Sequence, residues 1–144
     1  MTKSNALEHS YGIIPLRKHR GAWRVLLVQH GTSGYWGFPK GHAEEGESPR
    51  EAALRELFEE THLEVVRFLS ESILEEHYSF YRQSQQVDKT VFYLIAEVRG
   101  SIKLQKAEIR SSRWIPLLEA THALTYETDK NICLHVIHIL LQKE

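Results

Sequence analysis

The sequence predicts an α/β fold, a mixed β-sheet with helices on both faces. Three observations carry this. A strong helix start at Ser48-Pro49-Arg50-Glu51 interrupts a series of strand-like segments. The most strand-like run, residues 90–98, comes after that helix and is expected to be central. Helical patterns close the chain beyond Pro116. Strands, one helix, more strands and terminal helices place helices on both sides of one sheet.

The elements follow in order. Residues 11–16 read as a short strand, and Pro15 suggests an edge or a strand end. Residues 18–21 form a turn, and residues 23–29 a clear β run. A loop at 31–34 leads into an extended segment, 35–40, where Pro39 disfavours helix for Phe38. Ser48 is a good N-cap, Pro49 suits the first helical position, and Glu51 completes a Ser-x-x-Glu capping box. Residues 52–58 are good or tolerable helix formers. Leu54, Leu57 and Phe58 are expected to bury against the sheet. Residues 65–69 and 73–81 are strand material, residues 82–88 a polar hairpin loop, and Gly100 ends the run at 90–98. Residues 108–115 mix a polar loop with a final strand that Pro116 closes. Residues 117–124 form a short helix. A last helix spans about 129–142, with Ile132, Val136, Ile139 and Leu140 toward the core.

Composition narrows the function. A chain of 144 residues is expected to be one domain, 1–144, with its own core. A net charge of -1 gives no global basic field, so nucleic acid and anionic membranes are not expected partners. Cys133 is the only cysteine, so no disulfide forms within the chain. With no apolar run behind residues 1–5 and no stretch of membrane-spanning length, a cytoplasmic location is expected. Cys133 lies among apolar helix residues and reads as core. His135 and His138 share a helix face but have no third ligand nearby, so a surface face is expected.

Chemistry concentrates on the first helix. Glu56, Glu59 and Glu60 stand at i, i+3 and i+4, which puts three carboxylates on one face. Like charges at this spacing cost about 0.2–0.5 kcal/mol per pair. Such a face is either solvated or built for a hard divalent cation, which prefers oxygen ligands. The spacing is more specific. Gly41, five residues, Glu47, seven residues, then Arg55-Glu56-Leu57-x-Glu59-Glu60-x-x-Leu63 resembles the Nudix box. His62 replaces the family's last glycine. That position lies just past the helix end, where a left-handed conformation is common, so a smaller stability margin is expected.

The resemblance implies an α/β/α sandwich that hydrolyses a nucleoside diphosphate linked to another moiety. It assigns Glu56, Glu59 and Glu60 to metal binding, with the Lys40 carbonyl and Glu47 as further ligands. The metal would be Mg²⁺, with Mn²⁺ as an alternative. Arg55 and Gly41 would support the site. A narrower resemblance lies outside the box. Trp36-Gly37-Phe38-Pro39-Lys40-Gly41-His42, the strand from Lys89 to Ala96, and Glu108 six residues before Trp114 are similar to asymmetrical diadenosine tetraphosphate hydrolases. This implies a dinucleoside polyphosphate substrate, split to ATP and AMP by water with Glu56 or Glu108 as general base. Lys40, His42 and Lys89 would meet phosphates, and Tyr35, Tyr78 and Tyr126 are candidates to stack on adenine. The simpler reading of each tyrosine is packing, and of Lys89 a solvated strand end. Other Nudix substrates remain open: RNA 5′ ends, oxidised nucleotides and diphosphoinositol polyphosphates. So does a nucleotide-binding module without turnover.

Overall fold

The computed structural model describes residues 5–142. Residues 1–4, part of the stretch on which the absence of a leader was read, lie outside the described residues. The strands are β1 (Ala6–His19), β2 (Ala22–His30), β3 (Trp36–Gly37), β4 (Lys40–Gly41), β5 (Glu64–Phe68), β6 (Leu74–Arg82), β7 (Gln85–Arg99) and β8 (Ile109–Pro116). Helix α1 spans Pro49–Thr61, a 3-10 turn spans Leu117–His122, and α2 spans Glu127–Gln142. No helix among the described residues is long and apolar enough to cross a membrane.

The strands form one mixed sheet in the order β3-β2-β1-β7-β5, with β4 on β1, β6 on β7 and β8 on β2. The pair β1–β7 is parallel and the other pairings are antiparallel. Strand alternation sends Ile13, Leu94, Ala96 and Val98 to one face, where Ala53 and Leu57 of α1 cover them. Ile14, Leu16, Tyr93 and Ile95 point to the other face, under Ile132, Cys133, Val136 and Leu140 of α2. The result is the expected α/β/α sandwich. Ile139 is half-buried at the margin of that second core, His135 and His138 are exposed, and Cys133 is buried.

Three expectations are corrected. Strand β1 is long and internal, not a short edge strand. Its Pro15 falls between the register with β4, which ends at Gly12, and the register with β2, which starts at Leu16. A residue lacking an N–H is tolerated there because that flank has no registered partner. The polar segment 82–88 is not a loop. Only Gln83 and Ser84 turn, both with positive φ (51° and 66°), and the strands continue to the turn on either side. Val87 and Lys89 are buried at alternate positions, a period-2 signal that polar neighbours obscure. Finally, Phe58 is exposed, and Ala52, Ala53, Leu57 and Glu60 are the buried side of α1. Glu60 of the acidic set therefore turns inward with the apolar face, and Glu56 is half-buried beside it.

Candidate active site

Helix α1 begins as its sequence demands. The Ser48 hydroxyl accepts from the Glu51 N–H, and the Glu51 carboxylate accepts from the Ser48 N–H, both at 3.1 Å. The helix ends at His62, held left-handed at φ 65° with its N–H donating to the Phe58 carbonyl at 2.8 Å. From this fixed frame the Glu56 carboxyl group reaches Gly41 of β4.

Carboxylate oxygens of Glu56, Glu60 and Glu108 lie within 4.8 Å of one another. Glu108 reaches them through the loop before β8, which is tied to α1 and β2 by backbone bonds. Lys103 N–H donates to Thr61, Gln105 N–H to Glu60, and Gly31 N–H to Glu108 itself. Glu60 is 1% exposed and its Oε1 has no hydrogen-bond partner. Burial, then the adjoining Glu56 carboxyl, raises its pKa. An orphaned buried carboxylate oxygen facing two further carboxylates fits a hard divalent cation, which would relieve both costs. Gly41 makes the arrangement possible, since a β-carbon there would collide with the Glu56 carboxyl group.

Glu59 and Glu47, also expected as ligands, stand outside this cluster. Arg55 holds both. Its Nε and Nη2 donate to Glu47 at 2.7 and 3.0 Å, its Nη1 donates to Glu59 and Glu56 at 3.0 Å, and its Nη2 donates to the His42 carbonyl at 2.8 Å. The guanidinium lowers the Glu47 pKa, and its own pKa is raised by the same bonds. Arg55 thus links the loop that carries Glu47 to helix α1.

Glu56, Glu59 and Glu108 line a cavity of about 450 Å³ shared with Ser10, Lys40, His42 and Lys89. Lys89 is not a solvated strand end. It is 8% exposed, and burial followed by the charge of Lys40 lowers its pKa. Its Nζ lies 4.0 Å from Glu8, which also pairs with Arg82 at 2.7 Å. His42 is exposed, with Nδ1 3.2 Å from the His9 carbonyl. The Lys40 ammonium donates to the Tyr35 hydroxyl at 2.7 Å.

Tyrosines 35 and 126 stand 5.1 Å apart, ring centre to ring centre. Tyr78 packs against the α2-side core, and its pKa is raised to about 12, mainly by burial. None of the three lines the carboxylate cavity. The sequence reading missed their neighbours. His30 stacks on Tyr35 at 4.4 Å, and burial, with Lys40 nearby, lowers its pKa to about 4, so it is neutral. Glu76 and Asp129 are each 4% exposed and hydrogen-bonded to each other, with one oxygen apiece unpartnered, as is the buried Tyr93 hydroxyl. Alternation along β6 could have placed Glu76 inward. Nothing in the sequence signals its meeting with Asp129.

The profile of the NUDIX domain matches residues 7–135. The asymmetrical bis(5'-nucleosyl)-tetraphosphatase of Mus musculus is 36% identical over 133 residues, 83% of this chain and 86% of that protein. The MutT4 protein of Mycobacterium tuberculosis is 30% identical over 98 residues, 67% of this chain, but the chain spans only 39% of that relative. A Caenorhabditis elegans Ap4A hydrolase in a binary complex superposes with a TM-score of 0.71 at 21% identity, covering 94% of this chain and 98% of that one. At that identity the superposition speaks to the fold.

Proposed function

The chain belongs to the NUDIX domain family of hydrolases, and we propose that its reaction is the divalent-cation-dependent hydrolysis of a dinucleoside polyphosphate, diadenosine tetraphosphate giving ATP and AMP. The observation that carries this is the meeting of Glu56, Glu60 and Glu108 within 4.8 Å, with Glu56 and Glu108 lining a cavity shared with Lys40 and Lys89. The mouse tetraphosphatase, similar over most of both chains, supports the substrate.

Glu56, Glu60 and Glu108 would hold Mg²⁺ or Mn²⁺, with Glu59, Glu47 and the Lys40 carbonyl as outer or additional ligands. Such an ion would neutralise phosphate charge and lower the pKa of a water molecule. Lys40 and Lys89 neutralise the phosphates remote from the carboxylates, and Arg55 keeps the loop and helix carboxylates in place. Water attacks a phosphorus atom, and the bond from that phosphorus to the bridging oxygen breaks. Glu108 or Glu56 accepts the proton of the water, and the leaving phosphate departs as an anion. Tyr35, Tyr78 and Tyr126 hold the adenine by stacking.

Purified protein with Mg²⁺ is expected to convert diadenosine tetraphosphate to equal amounts of ATP and AMP, without ADP. Glu60→Gln is expected to abolish the reaction. Absence of ATP and AMP, or full turnover by that variant, overturns the reading.

A further inference from the structure

A second cavity, about 460 Å³ in volume, lies on the α1 face of the sheet. Its floor is Tyr11 and Phe92, neighbours in the β1–β7 register, with rings 15° from parallel and centroids 5.5 Å apart. His9 meets the Phe92 ring edge-on, and Ala53 of α1 forms a wall. Arg50 and Glu71 give the lining a donor and an acceptor. Ile73, at the same cavity, is 56% exposed, an apolar side chain left to solvent.

This cavity adjoins the carboxylate site. Ala53 lines the apolar cavity and Glu56 the carboxylate cavity, a separation of three residues along α1, or about 4.5 Å of helix rise. On β1, Ser10 belongs to the carboxylate cavity while His9 and Tyr11 on either side belong to the apolar one. Tyr11 is also in register with Gly41, beneath Glu56. Tyr78 packs on the α2 side of the sheet and Tyr11 on the α1 side. Aromatic side chains therefore stand on both faces of the sheet, and those on the α1 face line a cavity adjoining the carboxylate cavity. A nucleotide with one base needs only one of these faces.

We propose that the cavity at Tyr11 and Phe92 receives the second nucleoside of a substrate that carries a base at each end of its phosphate chain. This rests on the dinucleoside polyphosphate reading and goes further, because it assigns the two bases to separate sites. The volume suits a nucleoside, the aromatic rings of Tyr11 and Phe92 offer contact for a base, and Glu71 offers an acceptor for a base amino group.

The test compares diadenosine tetraphosphate with adenosine tetraphosphate, which has one base, in the wild-type protein and in Phe92→Leu with Mg²⁺. Phe92→Leu is expected to raise KM for the two-base substrate about tenfold, the loss of one stacked base, with kcat and the one-base constants unchanged. Equal effects on both substrates, or no effect on either, overturn the proposal. If the wild-type protein does not hydrolyse diadenosine tetraphosphate, the parent reading has failed, and a measurement without turnover decides the site. AMP titrated into Glu60→Gln protein is then expected to shift the amide resonances of Phe92 and Leu94, and to leave residue 94 unmoved in the Glu60→Gln, Phe92→Leu double variant. Unmoved resonances at 92 and 94 in the Glu60→Gln protein overturn the proposal.

Discussion

The Glu56 carboxyl group occupies the space a β-carbon on Gly41 would need. The backbone of Gly41 is not in the left-handed region, so glycine serves here for space and not for conformation. Alanine at 41 meets the far end of a flexible side chain, so Glu56 is expected to swing away and the fold to survive. Gly41→Ala should lose about 10- to 100-fold in activity, with the melting temperature little changed. Kinetics beside a thermal melt check this, and unaltered kinetics would remove Gly41 from the site.

Arg55 joins Glu47, Glu56, Glu59 and the His42 carbonyl. A lysine keeps one charge but not the planar fork that reaches them together. Arg55→Lys is expected to lower activity about 10- to 100-fold and to weaken binding of Mn²⁺, measured by calorimetry. Arg55 joins carboxylates of both the loop and the helix, so the loss should show in metal affinity as well as in stability.

His62 holds φ 65° at the end of α1, where its ring stacks on Phe58 at 4.7 Å. A side chain in this conformation costs about 1–2 kcal/mol, part of which the stacking offsets. His62→Gly is expected to gain up to about 1 kcal/mol, or roughly 2–4 °C in melting temperature. Steady-state constants should stay as they are. A lower melting temperature would show that the stacking outweighs the strain.

Asp129 is buried against Glu76, and burial, then that hydrogen bond, raises its pKa. The folded chain therefore holds a proton that the unfolded chain releases at the ordinary aspartate value of about 4. This contribution to stability is fully present below that value and is lost as the pH rises through the raised one. Lys40, Tyr35, Tyr78 and Tyr93 are the other titratable groups around the pair. Asp129→Asn, which keeps a hydrogen-bonding amide without the charge, is expected to flatten the fall in stability between neutral and alkaline pH. Denaturant midpoints at several pH values would show it, and parallel curves for both proteins would exclude the linkage.

Much of this protein is local in origin and was legible in the chain. Ser48, Pro49 and Glu51 start α1 by contacts within three residues, and the fixed spacing from Gly41 to Glu60 announces the acidic helix. Continuous apolar runs rich in β-formers mark β2 and the second half of β7. What the sequence could not show depends on distant partners. The glutamates of α1 look equivalent by spacing, yet packing buries Glu60, leaves Glu59 in the grip of Arg55 and replaces it in the cluster with Glu108, which backbone bonds from Gly31, Lys103 and Gln105 bring in. Phe58, apolar by type, faces solvent because Ala53 and Leu57 already fill the contact with the sheet. Glu76 and Asp129 are separated by most of the second half of the chain and meet only because α2 crosses β6. Spacing along the chain decides which side chains a helix offers. Only the closing of helix, loop and sheet on one another decides which of them lose water and act together.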